Sequence, residues 1–158
     1  MTTPTFGGPA VHAPAPSPAE AAAHFAARLS LYTDVADVHA SMALDRPGFV
    51  LVDTRDARSW EQGRVPGAVH LPHARIAEEA SALVDPALTV VTYCWGPGCD
   101  GAARGALAFA RLGHPVKEMV GGMEYWVREG LPVETDTAVA RGPVDPLVAP
   151  VGAPGCAC

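Results

Sequence analysis

Two thiols, Cys94 and Cys99, stand in the segment Tyr93-Cys94-Trp95-Gly96-Pro97-Gly98-Cys99-Asp100-Gly101-Ala102. A strand ending at Tyr93 would deliver Cys94 to a surface crevice. The glycines let the backbone curl, and a curled run of amides turns its N–H groups inward. A helix beginning just after the loop adds its positive N-terminal end. Both effects favour an anion at the loop centre: a thiolate, a persulfide or an oxyanion leaving group. The expected result is a lowered thiol pKa and a nucleophilic sulfur at Cys94. Pro97 shapes the loop but has no N–H to donate.

The elements needed to position such a loop are legible on both sides of it. Leu88–Tyr93 is the strongest strand candidate, rich in β-branched residues. Ala102–Leu112 reads as a helix stopped by Gly113. Upstream, Phe49–Asp53 is a short apolar run of the kind that forms a buried parallel strand. Gly67–Leu71 and Val116–Val120 read as further strands. Helices are expected over 18–31, opened by Ser17-Pro18-Ala19-Glu20, over 34–44, 56–62, 76–83 and 123–129. Strand and helix alternate through the middle of the chain. That predicts an α/β fold, an open, mostly parallel sheet with helices on both faces, whose site lies at the carboxyl ends of the strands. Residues 1–17 and 135–158 are rich in Pro, Gly and Ala and read as flexible tails around one domain at 18–134.

Composition narrows the function classes. The 158 residues suit one domain with a real core. The net charge of −6 comes without a basic cluster, which argues against nucleic acid and anionic membrane surfaces. No apolar run is long enough to span a bilayer. No basic stretch followed by an apolar one opens the chain, so the cytoplasm is the expected compartment. There, the four cysteines read as chemistry or metal ligands rather than as a disulfide framework.

The loop and four other segments together resemble the rhodanese family. Leu51-Val52-Asp53-Thr54-Arg55 resembles its Asp-x-Arg segment at a strand end. Gly63-Arg64-Val65-Pro66-Gly67-Ala68 resembles its Gly-His-Ile-Pro-Gly-Ala turn, with Arg64 in place of His. Val90–Tyr93 running into Cys94 resembles its approach to the active site. Val120-Gly121-Gly122-Met123-Glu124-Tyr125-Trp126, then Gly130-Leu131-Pro132-Val133, resembles its closing stretch. The ordered set covers roughly residues 33–134.

The resemblance implies a rhodanese-like sulfurtransferase. Cys94 would take sulfane sulfur from a small donor such as thiosulfate or a persulfide. It would pass that sulfur to a thiol, cyanide or a protein cysteine, without metal or organic cofactor. Trp95, Gly96, Gly98, Cys99, Asp100 and Gly101 would surround the substrate. Cys94 and Gly113 stand further apart than in familiar single-domain members, which implies a wider loop or a longer helix, suited to a bulkier acceptor or a different anion.

Individual residues carry alternatives. Cys99 either resolves an oxidised or persulfidated Cys94 by forming a disulfide, receives the sulfur, or fills the loop as a small side chain. Trp95 is either a pocket wall or packing over the sheet edge. Asp100 is expected to cap the following helix and point away from Cys94, because an acid beside the thiolate would raise its pKa. Asp53 and Arg55 are expected to brace the neighbouring loops. His70 and His73 share an H-x-x-H spacing that is weak evidence for a metal. Tyr125 and Trp126 read as core, Arg104 as exposed. The terminal Cys156-Ala157-Cys158 could relay sulfur, bind a soft metal or form a strained disulfide, or be two thiols in a tail.

Three rivals remain. A phosphatase would need an arginine where Asp100 stands, which argues against it. A thiol-based arsenate reductase or redox protein would use Cys94 with Cys99. A non-enzymatic rival is either a binding module, which would not need the cysteine that this loop retains, or a persulfide carrier acting only with a protein partner, which would keep it.

Overall fold

The computed structural model describes residues 8–11, 13–150 and 152. Cys156 and Cys158, and much of the expected N-terminal tail, lie outside them. Two compact units are formed, one up to Ser30 and one from Leu31 onward. In the first, helix α1 (Pro18–Leu31) opens on a reciprocal cap. The Ser17 hydroxyl and backbone N–H donate to the Glu20 carboxylate, and the Glu20 N–H donates back to Ser17 Oγ.

The second unit is built on five parallel strands in the order β1-β5-β4-β2-β3. These are β1 (Tyr32–Asp34), β2 (Phe49–Asp53), β3 (Val69–His70), β4 (Thr89–Tyr93) and β5 (Val116–Val120). The helices that join or follow them are α2 (Val35–Met42), α3 (Ala57–Gln62), α4 (Ile76–Leu83), α5 (Gly101–Arg111) and α6 (Gly122–Arg128). This is the open parallel α/β architecture the alternation predicts. Caps set several boundaries. Asp34 Oδ1 accepts from Asp37 N, so the expected helix over 34–44 starts after Asp34. Asp56 Oδ1 accepts from Ser59 N in the same way at α3.

Side-chain alternation splits the core into two layers. Leu51, Val91 and Tyr93 pack with Val35, Val38, Met119, Met123 and Trp126 on one face. Val52 and Val90 pack with Leu71, Ile76, Ala80, Val84 and Phe109 on the other. The central strands β2 and β4 thus bury both faces, which is why they read as continuous apolar runs. Trp126 is core, as expected, with Nε1–H donating to Pro132 O at 2.7 Å. Tyr125 is only partly buried, packed at the edge of that layer.

Three strands escape the sequence pattern. β1 is an edge strand of three residues paired with β5 through Thr33 and Met119, too short for any period to show. After residue 132 the chain adds an antiparallel pair, β6 (Val133–Glu134) and β7 (Val139–Ala140). Arg64 bridges to Glu134 through backbone and side chain, and Asp145 pairs with Arg128 at 2.9 Å.

Helix α5 sits hard against the sheet. A Cβ at Gly105 would fall 2.6 Å from Thr54 Cγ2. Gly105→Ala is therefore expected to lose about 1–3 kcal/mol through overpacking, although Ala is the better helix former. Adding Thr54→Ser removes the offending methyl and keeps the hydroxyl that donates to Tyr93 O at 2.8 Å. The double variant should recover most of the loss in a denaturant-melt cycle; equal losses in both backgrounds would refute the contact.

Candidate active site

Cys94 follows β4, the middle strand of the sheet, and lies at its carboxyl end. Two tethers hold the loop that starts there. Thr92 Oγ1 donates to Ala102 O at 2.9 Å, tying the first turn of α5 to β4. From the other side, Met123 N donates to Cys94 O at 3.0 Å and Glu124 N to Trp95 O at 2.7 Å. The start of α6 therefore satisfies the carbonyls of Cys94 and Trp95. Gly122 makes this approach possible: its φ is +55°, and a Cβ there would fall 2.5 Å from Cys94 O.

Within the loop, Cys99 N donates to Gly96 O at 3.0 Å. This turn carries Cys99 back over Cys94, and the two sulfurs form a disulfide across Cα atoms 6.4 Å apart. Of the readings open for Cys99, the structure brings the two thiols into bonding contact. Gly101 leaves the space they use. A Cβ there would fall 2.7 Å from Cys94 Sγ and 3.5 Å from Cys99 Sγ. Both sulfurs thus lie at the N-terminus of α5, whose dipole favours negative charge.

Cys94 is 5% exposed, whereas Cys99 is half-buried. A mainly apolar cleft of about 790 Å³ opens beside them. Trp95, Gly96, Gly98 and Cys99 form its loop wall. Met123, Val127 and Val133 supply apolar surface opposite, and Glu124 and Arg128 supply charge. The α6 and β6 residues were not singled out from the sequence as site residues. Only the closing Gly121-Gly122 segment hinted at them, since a pair of glycines permits close backbone approach.

Asp100 stands at the N-cap position of α5 but makes no capping hydrogen bond, contrary to the expectation. Its carboxylate pairs instead with Arg104, one turn on, at 2.8 Å, and both side chains are exposed. The hydrogen bond from Arg104 holds the Asp100 carboxyl below the usual range. Placed there, Asp100 is paired in solvent and is not part of the cleft wall.

Asp53 and Arg55 form a fully buried ion pair behind the loop, Nη2 to Oδ2 at 2.6 Å. Arg55 Nη2 also donates to Gly63 O at 2.7 Å, and the guanidinium stacks 4.5 Å from the centre of the Trp95 ring. One buried pair thus joins the end of β2, the turn after α3 and the cysteine loop. Trp95 lines the cleft and stacks on the Arg55 guanidinium. Tyr93, beneath this pair, accepts from Val65 N through its hydroxyl, and burial pushes its phenol well above the ordinary value.

His70 lies within 3.0 Å of Arg55 O through Nε2 and stacks on Trp60, while His73 opens the helical turn before α4. Among the described residues no group of His, Cys, Asp and Glu is arranged to hold a metal, and no helix is long and apolar enough to cross a membrane.

A family model of the rhodanese-like domain matches residues 35–129. The chain is 35% identical over 96 residues to the thiosulfate sulfurtransferase GlpE of Pseudomonas savastanoi, covering 60% of this chain and 87% of that protein. It is also 36% identical over 93 residues to an HTH-type transcriptional regulator of Mycobacterium tuberculosis. That match takes in 58% of this chain but only 40% of the regulator's length. Among solved structures, a Bacillus halodurans protein superposes with a TM-score of 0.71 at 39% identity, covering 75% of this chain and 87% of that one. A Lactobacillus plantarum protein does so with a TM-score of 0.66 at 30% identity, covering 74% and 98%.

Proposed function

The chain belongs to the rhodanese-like domain family, a family with sulfurtransferase-type enzymes among its members, and on that premise we propose that it transfers sulfane sulfur through a persulfide on Cys94. With the disulfide reduced, the Cys94 thiolate attacks the outer sulfur of thiosulfate and expels sulfite, or attacks a persulfide and expels its thiol. The sulfur–sulfur bond so formed leaves Cys94 as a persulfide. A thiol, a protein cysteine or cyanide then attacks the outer sulfur, and the Cys94 thiolate departs.

The observation that carries this reading is the position of Cys94 Sγ at the carboxyl end of the middle strand, against Gly101 at the N-terminus of α5. Each form of the sulfur in the cycle that bears charge is an anion, and a helix N-terminus stabilises it by about 0.3–1 kcal/mol, more where partly buried. Trp95, Gly96, Gly98 and Cys99 would contact donor and acceptor from the cleft wall, with Gly101 giving the sulfur its room. Asp53 and Arg55 act on the site only by bracing the loop. The apolar cleft suits an acceptor larger than cyanide, a thiol on an organic or protein framework.

The test is intact-mass analysis of the reduced chain after exposure to thiosulfate or a small persulfide, followed by peptide mapping. A gain of one sulfur atom located on Cys94 is expected. A sulfur that maps to another cysteine, or no gain with either donor, would overturn the assignment.

A further inference from the structure

The Cys94–Cys99 pairing has a chemical consequence for sulfur that no acceptor removes. We propose that Cys99 is a resolving thiol: it discharges the Cys94 persulfide as hydrogen sulfide and closes the site as the Cys94–Cys99 disulfide. The proposal rests on the persulfide reading above and adds to it a second outlet for the sulfur.

The step balances without an outside oxidant. The Cys99 thiolate attacks Sγ of Cys94, the inner sulfur of the persulfide. The Sγ–Sγ bond forms, the bond to the outer sulfur breaks, and hydrosulfide leaves with the electron pair. The sulfane sulfur is reduced to sulfide while the two thiols are oxidised to the disulfide. A dithiol reductant, small or protein-borne, then restores both thiols and is itself oxidised to a disulfide.

Three observations support the geometry. The Cα atoms are 6.4 Å apart, within the range a disulfide spans without backbone movement. The Gly96–Cys99 turn carries Cys99 back over Cys94, and Gly101 leaves both sulfurs space at one helix end. Exposure divides the roles. Cys94 is buried, whereas Cys99 lines the cleft, so a reductant entering there meets Cys99 first. Attack on Cys99 releases Cys94 as the leaving thiolate, at the helix terminus that favours an anion.

The experiment loads the reduced chain with one equivalent of a small persulfide, without oxygen or added thiol, and follows released sulfide and intact mass together. Unsubstituted protein is expected to release one sulfide per chain and to end two hydrogens lighter than its reduced form. Cys99→Ser is expected to release none and to retain the added sulfur. If the unsubstituted chain keeps the sulfur, or if Cys99→Ser releases sulfide as the parent does, the resolving role is overturned while the persulfide reading stands. If neither chain gains or releases sulfur, both readings fall.

Discussion

Cys94→Ser is expected to cut sulfur transfer by about 10⁴-fold or more, with the fold retained. A serine hydroxyl is nearly isosteric with the thiol but is not ionised near neutral pH and forms no persulfide, so the covalent route closes rather than slows. Cys94 lies buried beneath the cleft, and the near-equal size of sulfur and hydroxyl keeps the disturbance of packing small. The effect should appear in turnover with thiosulfate and an acceptor thiol, with a melting temperature like that of the reduced parent as control, since the variant cannot form the Cys94–Cys99 disulfide. Gly101→Ala attacks the same atom from the other side. Its Cβ would fall 2.7 Å from Cys94 Sγ, and the thiol must rotate out of line with α5. A misplacement of this kind costs about 10²-fold in rate, whereas Ala at the first turn of a helix is tolerated or favoured. Full activity in Cys94→Ser would remove Cys94 from the reaction; full activity in Gly101→Ala would show that the thiol does not depend on its alignment with α5.

The second large effect concerns stability. Asp53→Ala is expected to destabilise the protein by about 3–5 kcal/mol, because it strands the Arg55 charge in the interior. For a chain of this size that lowers Tm by about 6–20 °C. Burial alone would push the Arg55 guanidinium down; the hydrogen bonds and charge of Asp53 outweigh it and hold the group protonated. Both side chains are almost wholly buried, so solvent cannot take over from the missing carboxylate. The double variant Asp53→Leu with Arg55→Met removes both charges and should be the more stable of the two. Calorimetry on the pair decides the matter: a double variant less stable than Asp53→Ala would mean that the ion pair contributes net stability beyond cancelling its own desolvation. The guanidinium also supports Trp95 by stacking, so the double variant should show a looser cleft wall, visible as a rise in KM before a fall in kcat.

The features legible in the chain alone are local and periodic. The run Val90–Tyr93, the cysteine after it, the glycines and the helix to Gly113 lie along one stretch of chain. Strand, loop and helix dipole are each set by neighbours in sequence, and so the candidate nucleophile could be named without a structure. The same holds for β2 and β5, whose bounds match the expectation, and for helices whose capping residues are written beside them.

Tertiary structure decided what depends on residues far apart. β1 exists because β5 offers it an edge, and three residues carry no period of their own. Asp100 occupies a capping position, but the backbone folded there (φ −88°, ψ 2°) is not the extended one from which a side chain caps, and its carboxylate pairs with Arg104. Trp95 gains its orientation from Arg55, whose loop meets the cysteine loop only once β2 and β4 pair. The opposite wall of the cleft comes from α6 and β6, brought in by the hydrogen bonds of Met123 and Glu124 to the cysteine loop. Cys94 and Cys99 were close in sequence, but whether they could meet depended on the turn at Gly96 and on the space at Gly101. That space is a property of how α5 packs against the end of β4, and no spacing within the loop contains it.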